Sequence, residues 1–288
     1  MAIDKKKIGK WFKDNFVTSN ASHSKQTAVP KPKSVHHEAA VLNRDSKKEF
    51  LKLFRQLTNA RSSWEVWSDF VIMSACAISN AVDKSHFNER EDLYLKTIKR
   101  YTKNEQLIFP KLLAETMMAL ESNPEQDFLG EMYMSLELGN RRNGQFFTPY
   151  HISDLMARMS LDGIAERVKN EGYISISDPC CGGGAMLIVG LNEARKQLGK
   201  EGLNYQNHVM FVGQDIDMVV ALMCYIQISL LGAAGYVKVG NSLTEPISTY
   251  DSSENYWFTP MWFSGAWSYR RIFNKPDDLI KKEKEWTD

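Results

Sequence analysis

The 288-residue sequence lacks the patterns that mark several common classes of protein. It has only four cysteines and no CxxC pair, so it offers neither a zinc knuckle nor a disulfide framework. Cys180 and Cys181 are adjacent, which suits no ordinary disulfide. No apolar run is long enough to span a bilayer, and no apolar segment of a secretory signal follows the basic N-terminus. We therefore expect a reduced, cytoplasmic protein that binds neither a metal nor a membrane.

The chain as a whole also has almost no excess of positive or negative charge. The net charge is +1, from 36 Lys and Arg against 35 Asp and Glu, so any nucleic-acid-binding surface must be local. The exception is the segment from Met1 to Lys48, with 11 basic and 4 acidic residues. Its second half is polar and contains Pro30 and Pro32, which predicts a basic flexible arm over residues 1–46. Such an arm is either a solubilising tail or a nucleic-acid contact.

Helical periodicity follows and predicts a helical domain over residues 47–140. Apolar residues recur at steps of three and four from Trp64 to Val82, and again from Leu112 to Leu120 after Pro110. A third such stretch starts at Phe128 and is predicted to end at the pair Gly139–Asn140. We interpret these aromatic and methionine residues as core rather than as a cofactor site.

The remaining residues, 141–288, show a different pattern. Short β-rich stretches at 173–177, 208–215 and 236–241 alternate with amphipathic helical stretches at 185–199 and 218–232. Strand, helix, strand, helix, strand predicts a parallel sheet with right-handed crossovers. The fold class is therefore α/β.

Three consecutive glycines lie in the connection between the first predicted strand and the following helix, in the stretch DPCCGGGAML (178–187). Glycine allows positive φ and close approach of a ligand to the backbone, and ligands of such sheets bind beyond the carboxyl ends of the strands. A dinucleotide-binding turn is disfavoured because Leu187 stands where G-x-G-x-x-G needs its third glycine. A purely structural tight turn is the alternative, and Asp178 has an alternative role as a cap of that turn.

Four sequence motifs, taken in order along the chain, resemble those of one protein family. GQFFTP (144–149), DPCCGGGAML (178–187), GQDIDMVVALMCYIQISLLG (213–232) and GNSL (240–243) resemble the N6-adenine DNA methyltransferases. The closest similarity is to the methylation subunit of type I restriction-modification systems. The resemblance implies a Rossmann-like S-adenosylmethionine-dependent methyltransferase sheet, shortened at its carboxyl end and preceded by a helical domain.

The resemblance also implies a binding site for S-adenosylmethionine. Gly182 and Gly184 would lie against the methionyl part, and Asp215 would bind the ribose hydroxyls. Asn241 stands where the family usually has Asp and would accept a hydrogen bond from the adenine amino group of the cofactor. The other residues implied at this site are Gln145, Phe146, Phe147, Thr148, Pro149, Asp178 and Pro179.

The family's catalytic N-P-P-[FYW] motif is missing. At its expected place the chain has Thr259, Pro260, Met261 and Trp262. In the family, the Asn oxygen and a Pro carbonyl accept hydrogen bonds from the adenine amino group, and the aromatic residue stacks on a flipped base. Thr259 offers only a hydroxyl in place of the Asn amide. The alternative interpretation is that YWFTPMWF (256–263) is an apolar core strand.

We expect a DNA adenine-N6 methyltransferase of the type I kind, encoded by a bacterium or a mobile element. Its expected partners are double-stranded DNA and a specificity or restriction subunit. The alternative is an inactive protein of the same fold that binds DNA or a restriction-modification complex. A methyltransferase for another substrate is a third option, because fold alone does not identify a substrate.

Overall fold

The computed structural model describes residues 45–138, 150–248 and 250–272. Nearly all of the predicted arm, residues 1–46, lies outside these ranges and stays a prediction. Within them, a helical region precedes a mixed sheet whose first three strands alternate with helices. The predicted α/β, Rossmann-like fold with a preceding helical region is confirmed.

Six helices form the region from residue 45 to residue 138. Helix α2 begins after Ser62, whose hydroxyl accepts a hydrogen bond from the amide of Glu65, and α5 carries Pro110 in its first turn as predicted. None of the helices in the described ranges is long and apolar enough to cross a membrane. The bounds are α1 Ser46–Leu57, α2 Ser63–Val82, α3 Phe87–Ile98, α4 Lys103–Gln106, α5 Phe109–Ser122 and α6 Phe128–Ser135.

Aromatic side chains fill the core of this region. Trp67 lies edge-on to Phe70 with 6.0 Å between ring centroids, and Phe50 lies edge-on to Phe70 at 5.4 Å. All three are fully buried, which confirms the interpretation of Trp67 and Phe70 as core and adds Phe50 to it. Trp64 departs from it, because 42% of its surface is exposed.

The end of α6 also departs from the prediction. The helix ends at Ser135, before the expected pair Gly139–Asn140, which lies outside the described residues. Glu137 takes the left-handed conformation, with φ of 54°. The amide of Leu138 bonds to the carbonyl of Tyr133, and that of Glu137 to Met134, which is a Schellman motif. A glutamate therefore occupies the position that we assigned to glycine.

Three parallel strands and two crossover helices form the centre of the molecule, as predicted. Strand β1 pairs with β2 and β2 with β3, and the helices after β1 and β2 pack against the strands they connect. Helix α2 packs on the second of these helices, so the helical region covers it. In chain order the elements are α7 Tyr150–Ser160, α8 Ile164–Glu171, β1 Ile174–Asp178, α9 Ala185–Lys200, α10 Tyr205–His208, β2 Val209–Asp215, α11 Met218–Leu230 and β3 Ala234–Val239.

A fourth strand, β4 (Tyr256–Phe258), pairs antiparallel with β3, and the sheet order is β1-β2-β3-β4. The helical region holds this strand in place. Arg90 of α3 donates a hydrogen bond to the carbonyl of Tyr256 at 2.6 Å, and its guanidinium lies 4.1 Å from the ring centroid of Trp257. Asp83 pairs with Arg90 at 2.9 Å, and both side chains are buried. A buried arginine with these partners anchors β4 to the α2–α3 corner.

Candidate functional site

The glycine turn lies between β1 and α9. Gly182 and Gly184 have φ values of 53° and 99°, in the left-handed region that glycine adopts without strain. A Cβ atom at Gly184 would lie only 2.9 Å from the Sγ of Cys224 on α11. The backbone at Gly184 thus packs closely against α11. This packing explains why the position needs glycine, with no need to invoke a ligand.

Asp215, at the end of β2, organises the turn. Its Oδ2 accepts a hydrogen bond from the amide of Gly182 at 2.9 Å, and its Oδ1 accepts one from the amide of Asp217 at 3.0 Å. Its carbonyl accepts a third from the amide of Gly240, after β3. Asp215 therefore ties the ends of three strands together. Each carboxylate oxygen keeps a second lone pair for the ribose hydroxyl that we predicted.

Asp178, at the end of β1, caps the turn, in agreement with the alternative role that the sequence offers. Its Oδ1 accepts a hydrogen bond from the amide of Cys180 at 3.0 Å. Burial raises the pKa of Asp178, and the nearby charge of Asp215 adds to the increase. Pro179 is exposed beside it. Two interacting carboxyl groups therefore line this side of the turn.

The amides of the turn are not all used internally. Gly182 donates to Asp215, and Gly184 donates to the carbonyl of Cys181 at 2.8 Å. The amide of Gly183 between them has no acceptor in the part of the chain that the structure describes. Because buried amides are nearly always paired, Gly183 is a candidate donor to a ligand.

Asn241 already has hydrogen-bond partners within its own turn. Its Oδ1 already accepts hydrogen bonds from the amides of Leu243 at 2.9 Å and Thr244 at 3.4 Å. This turn formed by its own side chain competes for the acceptor that we assigned to the adenine amino group. Its side-chain amide group has no partner within the described ranges, so Asn241 offers a donor there as well.

Two exposed apolar residues, which no sequence motif singles out, lie near these strand ends. Ile216 follows Asp215 and is 69% exposed, while Leu243 follows β3 and is 90% exposed. The hydrogen bond from Gly240 to Asp215 brings the two segments together. Ligand sites combine apolar surface with a few polar groups, so these two side chains are candidates for contact with a ligand. An apolar residue directly after a strand-ending acid was the available sequence signal.

The remaining predicted cofactor residues, Gln145 to Pro149, lie outside the described residues. Their roles stay predictions. The chain resumes at Tyr150 in α7, which packs along α9.

The predicted catalytic residues lie elsewhere. Thr259 is fully buried, and its Oγ1 accepts a hydrogen bond from the amide of Gly235 at 3.0 Å and donates one to the Gly235 carbonyl at 3.1 Å. Gly235 is at the amino end of β3, whereas the glycine turn adjoins the carboxyl end, at Gly240. Five residues of strand separate these ends, about 16 Å. The structure therefore does not bring the two parts of the predicted site together.

The residues after Thr259 are also engaged in packing. Pro260 starts a short 3-10 helix, and Met261 is buried in a small cluster with Trp267. Trp262 stacks on Phe258, with 5.4 Å between ring centroids, and the guanidinium of Arg271 lies 4.4 Å from its ring centroid. The alternative interpretation of YWFTPMWF as an apolar core strand holds only for Tyr256–Phe258, because Pro260–Phe263 form the 3-10 helix. Because β4 runs antiparallel to β3, whatever follows β4 lies at the start of β3.

Comparison with known proteins gives a family and two loose structural likenesses. The sequence model described as N-6 DNA Methylase matches residues 125–287, more than half of the chain. A structure from Listeria monocytogenes, described as a class I S-adenosylmethionine-dependent methyltransferase, is 14% identical with a TM-score of 0.37; the match covers 76% of this chain and 70% of that one. The methyltransferase subunit of a type I restriction-modification system from Streptococcus thermophilus is 16% identical, also with a TM-score of 0.37. That match covers 75% of this chain but 48% of the subunit, so the chain spans about half of its length. These scores are too low to support a conclusion about this chain.

Proposed function

The chain belongs to the N-6 DNA methylase family, and on that premise we propose that it binds S-adenosylmethionine at the glycine turn and acts in the methylation of adenine N6 in DNA. The observation that carries the proposal is the meeting of three strand ends around that turn. Asp215 connects all three, and Gly183 contributes a buried amide without a partner in the described ranges.

The residues at this edge of the sheet fit the cofactor. The amide of Gly183 and the start of α9 offer donors to its carboxylate. Asp178 and Asp215 suit its cationic groups and its ribose hydroxyls, and Ile216 and Leu243 offer apolar surface to its adenine ring. The cofactor, when bound, supplies an activated methyl group on a positively charged sulfur.

Transfer to adenine needs more than a bound cofactor. The adenine amino group is a weak nucleophile, because its lone pair is delocalised into the ring, and it needs hydrogen-bond acceptors in line with the methyl donor. Thr259 does not provide one in this arrangement, since its hydroxyl is committed to Gly235. This observation favours a second candidate function, in which the chain binds the cofactor, and DNA or a restriction-modification complex, without efficient turnover.

Titration calorimetry with S-adenosylmethionine tests the cofactor site. We expect saturable binding by the wild type and weaker binding by Ile216→Ser. The matched control is Met159→Ser on α7, which is 75% exposed and lies outside the proposed site. Equal affinities in the two variants would contradict the assignment of Ile216, and absence of binding by folded wild type would remove the proposed function.

Transfer of tritiated methyl groups from the cofactor to adenine-containing duplex DNA separates the two candidates. Double-stranded DNA and a specificity or restriction subunit are the proposed partners, so the assay is run with the chain alone and with a candidate subunit added. Turnover by the chain alone favours the enzyme. Cofactor binding without transfer under either condition favours the binding protein.

A further inference from the structure

One buried side chain connects the helical region to the glycine turn. Gln227 of α11 is fully buried, and its Nε2 donates hydrogen bonds to the carbonyl of Gly183 at 2.8 Å and to Oδ1 of Asp127 at 2.7 Å. Its Oε1 accepts a hydrogen bond from the amide of Leu129 at 2.9 Å. All the polar atoms of this amide are therefore used, across three segments far apart in the sequence.

Asp127 holds the other end of this connection. It is the N-cap of α6, where its Oδ1 also accepts a hydrogen bond from the amide of Gly130. A Cβ atom at Gly183 would lie 3.5 Å from the Asp127 Oδ2, and one at Gly130 would clash with the same carboxylate. The start of α6 and the middle of the turn are thus in contact around Gln227.

The effect of this contact on the turn follows from its peptide geometry. The carbonyl of Gly183 and the amide of Gly184 belong to one planar peptide unit. Gln227 holds the carbonyl, and the Cys181 carbonyl holds the amide at 2.8 Å. Consecutive glycines have the widest choice of backbone conformation, so without such restraints the direction of the neighbouring Gly183 amide is poorly defined.

We propose that Gln227 is a positioning residue for the cofactor turn, through which α6 sets the affinity for S-adenosylmethionine. The inference rests on the proposed function of the turn and adds a means of control to it. A shift of the Asp127 end of α6 is transmitted by one amide group to the peptide unit that orients Gly183. The helical region then acts on cofactor binding and is more than a cover for α11.

The test compares Gln227→Met with a control, Ile228→Val, the next residue of α11 and equally buried. Methionine keeps the length of the side chain and removes both donors and the acceptor, whereas the control removes one methyl group from the same helix. We expect Gln227→Met to raise the Kd for S-adenosylmethionine at least tenfold at a temperature where both variants are folded. The control should stay within twofold of the wild type.

Hydrogen exchange of the amides of residues 182–187, measured without cofactor, gives a readout independent of binding. We expect faster exchange in Gln227→Met and no change in Ile228→Val. Unchanged exchange in Gln227→Met would overturn the inference, whether or not the wild type binds the cofactor. A wild type that binds no cofactor would by itself contradict only the proposed function. Should Gln227→Met fail to fold, Gln227→Asn, whose amide is one methylene shorter, is measured in the same way with the same outcomes.

Discussion

Replacing Thr259 by valine separates its structural role from a catalytic one. Valine keeps the shape of the side chain and removes the hydroxyl, so the amide of Gly235 loses its partner inside the protein. A buried unsatisfied donor costs about 1–3 kcal/mol. For a chain of 288 residues that lowers the Tm by about 2–5 °C, since the entropy of unfolding grows with chain length.

The assay is thermal unfolding, followed by calorimetry with S-adenosylmethionine at a temperature where all variants are folded. Thr259→Ser keeps the hydroxyl and is the control, and we expect its Tm to stay nearer to that of the wild type. Cofactor affinity should be unchanged in both variants, because Thr259 lies at the opposite end of β3 from the turn. The double variant Thr259→Asn with Met261→Pro restores the family pattern. It should lower the Tm, because both positions are buried and filled. It should not raise methyl transfer, because Thr259 lies far from the turn. A Thr259→Val variant with unchanged Tm and abolished methyl transfer would refute this reasoning.

Four further predictions follow from the geometry and the charges. Asp215→Ala should weaken cofactor binding by about 1.5–3 kcal/mol, the scale for hydrogen bonds to a charged group, and should speed amide exchange in the turn. Arg90→Met should cost about 3–5 kcal/mol of stability, because it breaks a buried ion pair and releases β4. Burial raises the folded-state pKa of Asp178, so its stabilising contribution is complete below the unfolded pKa, about 3.9, and is lost as pH rises through the folded value; Asp178→Asn should reduce this loss. Deleting residues 1–45 should lower DNA affinity and flatten its salt dependence, as expected of lysines that contact phosphates.

Each of these has its own control. Asp215→Asn keeps one acceptor oxygen and should fall between the wild type and Asp215→Ala in calorimetry, whereas equal affinities of all three would argue against a contact with the cofactor. For Arg90, faster exchange at residues 254–259 than at β1 is the expected sign, and uniform exchange would contradict an anchoring role.

The pH prediction is checked by urea unfolding between pH 3 and 7. Asp45 should give the opposite dependence of stability on pH, because its hydrogen bonds with Lys48 lower its pKa. The contribution of Asp45 is present above its unfolded pKa and is lost as pH falls, so Asp45→Asn should weaken the protein mainly at higher pH. The same pH profile for Asp178→Asn and Asp45→Asn would exclude the proposed cause. If deletion of residues 1–45 leaves the salt dependence of DNA affinity unchanged, the arm is only a solubilising tail.

Local pattern was sufficient for much of this molecule. The alternating and helical periods of residues 173–241 predicted three strands and two helices within about two residues of their observed ends, because period 2 and period 3.6 are properties of short segments. The glycine turn was predicted for the same reason, since positive φ is a property of single residues. Four ordered motifs also pointed to the family that the comparison confirms.

Other features depended on contacts between segments far apart. Three apolar residues, Tyr256–Phe258, carry no information on strand direction, and the buried Arg90 at the α2–α3 corner decides where they lie. That antiparallel pairing removed Thr259 from the neighbourhood of the turn. Gln227 is likewise an unremarkable polar residue in an apolar helix until its partners, Gly183 and Asp127, are known. Hydrogen bonds across 44 and 100 positions are decided by packing, which no local sequence pattern encodes.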